Sequence, residues 1–531
     1  MGDVHASLTG PSVQAPAPIR AKPAARATPT LVGWRDHWPL LVLIVVAAVL
    51  RLATIGEQSF WYDEAYTPVH VLHASLGATL HTMVHTENTP PVWYVLIWAW
   101  SRMFGIGAVA LRTPSALAGV ATVAVAWYIG RELGSRRTAI VLAAIVTFDP
   151  LFVWYSQEAR AYALFALFAA LSLWTFLRAW REPTAREFAG WAAASVLALG
   201  THYFAAFLVA PEGALLLAAA VPALRPTLAR LRLDGEAPGP PRSPLGLFVA
   251  LAIVALAACA LVPLVIAQGG HGTQWIGRWA LSARLVAIPG YFLLGGQSPD
   301  FGHGLLLACA VPIVVTVGLL PGLRAREWRA FGLVFGLGAL SVLVPLVLAL
   351  AGADYLAPRN LIGSWIPLAA ALAVVLAGER AGVAGWVLTG LICAAGLGVV
   401  VAIDVVPRFQ RADWSGVARS LRAGPADRAV VTVELGAAPL EYYRPGLQYV
   451  HPGSTLRVRE IDLLGYAPLR AVAATPITPA FRLVGRASIH RLDVYRFVAA
   501  TPQTLTEVQL RADRLTPTST EVLAPAAAIG G

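Results

Sequence analysis

The feature that most constrains this chain is a series of long apolar runs separated by short segments rich in arginine. A transmembrane helix needs roughly 20 apolar residues, and several runs reach or approach that length. Only 13% of the 531 residues are charged, whereas a soluble globular protein carries about 25%. The pattern predicts an α-helical polytopic membrane protein. The apolar runs lie at about 38–56, 110–131, 137–154, 160–180, 187–200, 203–222, 244–268, 303–321, 329–351, 359–377 and 382–404.

Arginine-rich segments between the runs predict the topology, because positively charged loops stay on the cytoplasmic side. With the basic N-terminal tail also inside, only one full crossing fits between Asp63 and Arg131. The short run 91–105 is therefore predicted to lie in, or re-enter, the outer interface. The expectation is about 11 spans in the plasma (inner) membrane, with the N-terminus cytoplasmic and the C-terminus outside. The arginine-rich segments are 131–137, 178–186, 225–242 and 324–329.

The composition divides the chain into four regions. Residues 1–36 are predicted to be a disordered basic cytoplasmic tail, and residues 37–404 the transmembrane domain. A small extracytoplasmic α/β domain is expected over 405–500 and a tail over 501–531. The formal net charge of +11 comes mainly from arginines in the short loops. It therefore reflects membrane topology, and no nucleic-acid partner is expected.

The expected C-terminal domain has recognisable elements. A short helix is predicted over 413–421, with Asp413 as its N-terminal cap. A buried strand is expected at 430–435, and the alternation over 481–498 predicts a β-hairpin.

Polar residues gather in the loops that this topology puts outside. The adjacent carboxylates of Asp63 and Glu64 follow the first run, where water is scarce and charges are costly. Two interpretations of this pair remain open: Asp63 caps a helix that begins at Glu64, or the pair is catalytic. Other polar residues of the outer loops include His81, His85, Glu87, Asn88, Tyr155, Gln157, Glu158, Arg160, Tyr162, His202, Tyr203, Asp354 and Arg359.

Four short motifs carry a resemblance to a known family. They are Asp63-Glu64 after the first run, Asn88-Thr89-Pro90-Pro91-Val92-Trp93-Tyr94, Phe104-Gly105 followed by Ala110-Leu111-Arg112-Thr113-Pro114-Ser115-Ala116, and Trp154-Tyr155-Ser156-Gln157-Glu158-Ala159-Arg160-Ala161-Tyr162.

With these motifs the chain resembles the GT-C membrane glycosyltransferases. It is most similar to the protein O-mannosyltransferase type, glycosyltransferase family 39 and its bacterial relatives such as the lipid A aminoarabinose transferases. The similarity is densest over about 38–220 and mainly topological beyond. It implies a GT-C fold with interfacial helices in the first outer loop, and an enzyme that moves a sugar from a polyprenyl-phosphate donor. The acceptor would be an extracytoplasmic cell-envelope glycan, glycolipid or protein, whose hydroxyl would displace the lipid phosphate directly with a carboxylate as base.

The resemblance also implies roles for particular residues. It puts Asp63 in the position of the catalytic base, with Glu64 beside it. The aminoarabinose branch has a lysine before its Pro-Pro pair, whereas Thr89 stands there in this chain. Any role of that lysine therefore cannot be transferred.

Arginine is the residue best suited to the donor's phosphate, because its guanidinium can grip phosphate oxygens in pairs. Arg160 and Arg359 are the predicted phosphate ligands. Alternatively, Arg160 pairs with Glu158 or extends to the interface, and Arg359 anchors the outer end of a span. The predicted donor or acceptor contacts are Tyr62, His85, Glu87, Asn88, Tyr155, Gln157, Glu158, Tyr162, His202 and Tyr203.

Metal binding is left open but is not predicted. His81 and His85 are four residues apart, which could place both imidazoles on one helical face. The sequence shows no clear third ligand, and no cofactor is expected.

Two other functional classes compete with the enzyme. A lipid-linked sugar flippase or another transporter would also have many spans, but it should show related halves or polar groups near the midplane. A non-catalytic cell-envelope scaffold would use only the external domain. The identity of the sugar and of the acceptor is not encoded in any motif noted above.

Overall fold

The computed structural model describes residues 2, 34–295, 310, 313–421, 424, 426–466, 477–513, 515 and 519–529. Residues Met1–Pro39 and Leu40–Gly531 separate into two compact units. Nearly all of the first lies outside the described residues, and with it the predicted disordered tail over 1–36. The second unit contains the apolar helices and a C-terminal β-sheet, so that the predicted fold class, a polytopic helical protein with a small α/β region, is confirmed.

The helices of the membrane part follow the apolar runs closely. Fourteen α-helices precede residue 296 in the described part, numbered here α1 to α14. They are α1 Trp34–Leu52, α2 Tyr62–Tyr66, α3 Leu76–Thr86, α4 Val92–Phe104, α5 Ala108–Leu133, α6 Arg136–Phe148, α7 Pro150–Ser156, α8 Tyr162–Arg181, α9 Ala185–Thr201, α10 Ala206–Ala220, α11 Arg225–Leu228, α12 Pro244–Gln268, α13 Gln274–Arg278 and α14 Leu281–Leu294. Three further long helices of the described residues follow: α15 Ala325–Leu350, α16 Ile362–Ala377 and α17 Gly382–Val405.

Seven helical segments of the described residues are long and apolar enough to cross a membrane. The pair α6 and α7 adds an eighth if its 56° bend lies within one span. The bend falls at Asp149, whose side chain caps α7 by accepting hydrogen bonds from two backbone N–H groups. Shorter apolar helices include Trp38–Leu52, Leu281–Leu294 and Ile313–Gly322. The protein is therefore a multi-pass membrane protein, and the count of 11 spans stays a prediction.

The segment between α1 and α5, which is predicted to be the first outer loop, is built from short helices. The segment Thr67–Val71 continues α2 as a single π-helical turn, and α3 and α4 follow. Helix α4 has 13 residues and is not among the helices long enough to span. The alternative that Asp63 caps a helix starting at Glu64 is wrong. Helix α2 begins at Tyr62, Trp61 is its cap residue, and Asp63 lies in the first turn.

A six-stranded sheet forms the C-terminal part, with strand order β2-β6-β1-β3-β5-β4. Strands β1 and β3 are parallel, and the other neighbours are antiparallel. The helix, buried strand and hairpin predicted from sequence are confirmed at Trp414–Leu421 (α18), β1 and β4–β5. The remaining elements are β1 Arg428–Val433, α19 Ala437–Tyr443, β2 Leu447–Tyr449, β3 Thr455–Tyr466, β4 Phe481–Ile489, β5 Leu492–Thr506, α20 Glu507–Ala512 and β6 Thr520–Pro525.

The predicted tail over 501–531 is wrong. Strand β5 continues to Thr506, α20 follows, and β6 inserts between the edge strand β2 and β1. Val522 and Leu523 of β6 are fully buried, because apolar clusters cover both faces of this strand. The α/β region therefore extends past residue 500, and the boundary predicted there does not exist.

The sheet region packs directly on the first outer loop. The hydroxyl of Tyr443 accepts a hydrogen bond from the Phe60 backbone (2.8 Å), and Ser59 donates to Asp413 (2.8 Å). His70 contacts Glu441 at 2.9 Å. These contacts join α19 and the start of α18 to the chain around α2. The sheet region therefore helps to fix the position of the residues around α2.

Candidate active site

Asp63 and Arg359 form an ion pair that the sequence separates by nearly three hundred positions. Arg359 Nη1 lies 3.2 Å from Asp63 Oδ2, and the two side chains keep 22% and 18% of their surfaces exposed. Arg359 also lies over the rings of Trp275 and Tyr162. Its Nε has no hydrogen-bond partner among the described residues. Both side chains of the pair are therefore partly exposed, and the Arg359 guanidinium has an N–H group, at Nε, with no partner in the described part of the chain.

Glu64 lies behind this pair and is fully buried. Both of its oxygens accept hydrogen bonds from Arg112 at 2.7 Å, and the Ala159 backbone N–H donates to it as well. Burial raises the pKa of this carboxyl, but Arg112 and Arg411 outweigh that effect and hold the pKa below its ordinary value. Because both oxygens of the buried Glu64 carboxylate already accept hydrogen bonds from protein groups, Glu64 does not fit the catalytic role predicted for it. Its carboxylate instead holds Arg112 and the first loop in position.

Arg112 ties the same region together. Besides Glu64, it donates to the carbonyls of Ile55, Gln58 and Ser59. The side chain is 1% exposed, and each of its three nitrogens is used. Because a buried guanidinium without partners is strongly unfavourable, this arginine fixes the path of the chain from α1 into α2, and thereby the position of Asp63.

Glu158 is the second buried carboxyl near Asp63. Arg411 Nη2 donates to its Oε2 at 2.9 Å, whereas Oε1 lacks a partner in the described part of the chain. Burial raises the pKa of Glu158 to about 7, with Arg411 opposing and Glu64 and Asp63 reinforcing the rise. This group therefore changes charge near neutral pH, and it is a candidate proton carrier.

Arg160 does not pair with Glu158, so that alternative is wrong. Both terminal nitrogens of Arg160 reach Glu87, at 3.4 and 3.1 Å, and Nη1 also donates to the Asp63 carbonyl. The bend over 157–160 turns the Arg160 side chain away from Glu158 and toward the first loop. Arg160 therefore orders Glu87 and the backbone at Asp63.

Three cavities meet around Trp275 and Arg359, which line all of them. The first, of about 260 Å³, is largely apolar and is lined by residues such as Phe204, Val265 and Leu348. We call it the apolar cavity. The other two are the acidic cavity, of about 390 Å³, and the aromatic cavity, of about 380 Å³. The acidic cavity is lined by residues that include Asp63, Glu87, Arg160, Arg278 and Glu434, and the aromatic cavity by Trp61, Trp279, Tyr291, Glu158, Arg411 and Tyr466 among others.

Most of the predicted contact residues line these cavities. Thr89, which replaces the lysine of the aminoarabinose branch, lies 3.0 Å from the Tyr94 hydroxyl and lines the apolar cavity. Two predicted residues lie elsewhere. His85 is exposed on α3, and Gln157 donates to Leu50 and Thr54 instead. The predicted residues that line a cavity are Tyr62, Glu87, Asn88, Tyr155, Glu158, Tyr162, His202 and Tyr203.

His81 and His85 share a helical face, as their spacing predicts, with ring centroids 4.7 Å apart. Among the described residues, no group of three or more His, Cys, Asp or Glu side chains is arranged to hold a metal ion.

Sequence reasoning missed Arg411 and the sheet residues of the site. Arg411 is 8% exposed and joins Glu158 to Glu64. Its place two residues before the predicted cap Asp413 was the available signal. Leu435, which follows β1 and lines two cavities, has φ 68°. That backbone conformation is unusual for a branched side chain and cannot be read from the sequence.

Part of the sequence matches a known family. Residues 88–231 match the family described as dolichyl-phosphate-mannose-protein mannosyltransferase. A protein of unknown function from Aquifex aeolicus (strain VF5) is 30% identical over 184 residues, which cover 33% of this chain and 36% of that protein. The match thus spans about a third of the relative's length.

The fold is similar to that of a solved membrane protein, ArnT from Cupriavidus metallidurans. The apo crystal structure superposes with a TM-score of 0.51 at 12% identity, covering 87% of this chain and 98% of ArnT. The structure of ArnT bound to undecaprenyl phosphate gives 0.50 at 12% identity, covering 88% and 98%. The predicted resemblance is therefore confirmed: this chain has the fold of the GT-C superfamily glycosyltransferases and resembles protein O-mannosyltransferase and ArnT.

Proposed function

We propose that this protein transfers a sugar from a polyprenyl-phosphate donor to an acceptor on the extracytoplasmic side of the plasma membrane. The observation that carries the proposal is the contact between Asp63 and Arg359 where three chemically different cavities meet. The likeness of the fold to ArnT, which has been solved with undecaprenyl phosphate bound, supports a lipid-linked donor.

Asp63 is the proposed general base. As the acceptor hydroxyl oxygen attacks C1 of the donor sugar, its proton passes to the Asp63 carboxylate. The bond from the acceptor oxygen to C1 forms, the bond from C1 to the phosphate oxygen breaks, and polyprenyl phosphate leaves. Asp63 lines the acidic cavity and keeps part of its surface open, as a base that must reach a substrate requires.

Arg359 is the proposed ligand of the donor's phosphate. Its guanidinium contacts Asp63 and lines all three cavities, and its Nε has no hydrogen-bond partner within the part of the chain that the structure describes. A cation at this point would stabilise the negative charge that grows on the leaving phosphate. Arg160 would act mainly through Glu87 and the Asp63 backbone, and Arg278, at the mouth of the acidic cavity, is a second candidate for the phosphate.

The apolar cavity is the proposed site of the prenyl chain nearest the phosphate. Its lining from α10, α12 and α15 consists largely of aromatic and aliphatic side chains. An isoprenoid chain would gain roughly 25 cal/mol for each Å² of apolar surface that it buries there. The plasma membrane, the cytoplasmic N-terminus and the outer C-terminal region are part of this proposal, as are the 11 spans.

The test is Asp63→Asn. Asparagine keeps the size of the side chain and an oxygen but cannot accept the proton. We expect turnover to fall about 10²-fold or more while binding of polyprenyl phosphate is retained. The measurement is release of polyprenyl phosphate from the lipid-linked donor that co-purifies with the protein, after mass spectrometry has identified its head group.

The matched control is Asp234→Asn, an aspartate that pairs with Arg232 and lines none of these three cavities. It should keep wild-type turnover. Activity of Asp63→Asn within about threefold of wild type would remove Asp63 as base and point to Glu158 or Glu87. A transporter would move the donor across vesicles without cleaving it, and a scaffold would be indifferent to the change.

A further inference from the structure

The aromatic cavity is lined mainly by tryptophan and tyrosine side chains. Nine of its seventeen lining residues are Trp or Tyr, although aromatic residues make up 9% of the chain. Several of these rings keep part of their surface exposed, Trp275 to 36% and Tyr466 to 42%. The aromatic members are Trp61, Tyr62, Trp154, Tyr155, Trp275, Trp279, Tyr291, Trp414 and Tyr466.

Polar groups stand between these rings. Trp61 Nε1 and Glu158 Oε1 have no hydrogen-bond partner in the described part of the chain, although buried polar groups are almost always paired. Arg359 and Arg491 also line the cavity. The cavity thus combines flat apolar faces with unpaired donors and acceptors.

This combination of aromatic rings and polar groups favours binding of a sugar ring over binding of a prenyl chain or a peptide. A sugar presents C–H groups on its faces and hydroxyls at its edges, so aromatic rings can cover the faces while charged and N–H groups bind the edges. A prenyl chain has no use for the charged groups, and the apolar cavity suits it better. An extended peptide that adds a strand to a sheet binds through backbone hydrogen bonds at the sheet edge, whereas this cavity offers aromatic rings and charged groups.

The position of the cavity indicates which sugar it would hold. It shares five lining residues, Tyr62 and Arg359 among them, with the acidic cavity that Asp63 lines, and two, Trp275 and Arg359, with the apolar cavity. Residues Trp414, Leu435, Tyr466 and Arg491 enter it from the C-terminal α/β region, which lies outside the membrane part. A donor is held by its lipid, whereas an acceptor must arrive from outside.

We propose that the aromatic cavity is the binding site for the saccharide of the acceptor, so that the acceptor is a glycan or glycolipid and not a peptide. This inference rests on the proposed function and names the substrate class of the same site. The C-terminal α/β region then serves to complete the acceptor site.

The test uses Tyr466→Ala and Trp279→Ala in the full-length protein. Tyr466 stands at the end of β3 and is exposed enough for its loss to leave the fold intact; Tyr466→Phe keeps the ring as its conservative partner. The matched control is Trp386→Ala, a 42% exposed tryptophan of α17 that contacts Arg137 and lines none of these cavities.

Binding is measured first. Mannohexaose, an arabinofuranosyl hexasaccharide and a Ser/Thr-rich peptide are each titrated into the protein, and the change in tryptophan fluorescence is recorded. We expect saturable binding of at least one saccharide and none of the peptide. Each alanine variant should weaken the saccharide affinity about fivefold to twentyfold. Tyr466→Phe and the control should each change that affinity by less than about twofold. Binding of the peptide alone, or saccharide binding that both alanine variants leave unchanged, would overturn the proposal.

Turnover separates this inference from the proposed function. In the variants, KM for the saccharide acceptor should rise while KM for the lipid donor and donor binding stay unchanged. A rise in the donor's KM instead would mean that the cavity holds the donor sugar, which overturns the proposal. Saccharide binding weakened by the variants, together with no donor cleavage by wild-type protein, would reject the proposed transfer and leave the saccharide site standing.

Discussion

At the scale of single residues, the structure separates two arginines that the sequence offers as equal phosphate ligands. Arg160 donates to Glu87 through both terminal nitrogens, so its charge is already matched. Among the described residues, Arg359 has one ion pair, with Asp63, and its Nε has no hydrogen-bond partner. The difference arises because Glu87, at the end of α3, meets Arg160 from another loop, and no spacing in the sequence shows this.

Arg359→Ala should therefore weaken binding of polyprenyl phosphate more than Arg160→Ala does. The loss of a charge-assisted contact is worth roughly 1.5–3 kcal/mol, about tenfold to a hundredfold in affinity. Arg160→Lys should weaken donor use, and Arg160→Ala more, chiefly by releasing Glu87. The measurement is binding of polyprenyl phosphate to the purified variants. Adding Glu87→Gln to Arg160→Ala should recover much of the loss, and equal binding by Arg359→Ala and wild type would exclude Arg359 as the ligand.

Asp63 shows what the sequence can predict about such a site and what it cannot. Its place after the first apolar run predicts a position at the outer face, and the structure shows it partly exposed in the lining of a cavity. Glu64 is its direct neighbour in sequence, yet it is fully buried against Arg112. Neighbouring residues of a helix point in directions about 100° apart, so burial can divide two adjacent acids, and the identity of the buried one depends on distant partners.

At the scale of elements, the length of α4 supports the prediction that this segment does not cross the membrane. Its 13 residues measure about 20 Å at 1.5 Å per residue, less than the roughly 30 Å of a bilayer's hydrocarbon core. Trp93, Ile97 and Ser101 are buried at helical spacing, whereas Val95 and Met103 are exposed. One face therefore packs on the protein and the other is free to contact lipid, as in an interfacial helix.

Cysteine labelling tests this topology. After the native cysteines are replaced, Gly107→Cys and Ser135→Cys are probed in intact cells with an impermeant thiol reagent. Gly107 precedes α5, and a Cβ there meets nothing within 4 Å; Ser135 follows α5. We expect labelling of Gly107→Cys and none of Ser135→Cys until the cells are opened. Labelling at 135 alone would reverse the orientation of α5, and labelling at both would place α4 and α5 differently from this topology.

Strand β6 marks the limit of what local pattern predicts. The chain at 520–525 is short and ends in Pro525, and its partners in the sheet, β1 and β2, lie far back in the sequence. The alternation over 481–498 predicts the β4–β5 hairpin because those strands pair with their direct neighbour. A single short strand that completes a distant sheet has no such local signal.

At the scale of the whole molecule, two arginines connect parts of the chain that are far apart in sequence. Arg112 on α5 and Arg411 after the last long helix both contact Glu64. Arg411 also contacts Glu158 and lies over the ring of Trp154. The segment around α2, the bend between α7 and α8, and the C-terminal region therefore share one buried set of charges beside the candidate active site.

Arg411→Met should test this connection through stability and its dependence on pH. Breaking a buried ion pair by removing one partner destabilises a protein by about 3–5 kcal/mol. Because the pKa of Glu158 is raised to about 7, its carboxyl is protonated in the folded protein at pH 5.5 and charged at pH 8. Its contribution to stability is present at low pH and is lost as the pH rises through about 7. At pH 8 the removal of Arg411 leaves a charged Glu158 without its partner, whereas at pH 5.5 Glu158 is neutral. The destabilisation by Arg411→Met should therefore be larger at pH 8 than at pH 5.5.

Glu158→Gln added to Arg411→Met should remove that dependence on pH and recover part of the stability at pH 8, since the unpaired charge is then gone. The measurement is thermal unfolding of purified protein in detergent at both pH values. Arg324→Met, which breaks the exposed pair of Arg324 with Glu379, is the matched control and should change the midpoint little, as exposed pairs contribute at most about 1 kcal/mol. If Arg411→Met unfolds like this control at both pH values, Arg411 does not connect the C-terminal region to the site. The aromatic cavity would then have to be held in place by the contacts of Tyr443 with Phe60 and of Asp413 with Ser59.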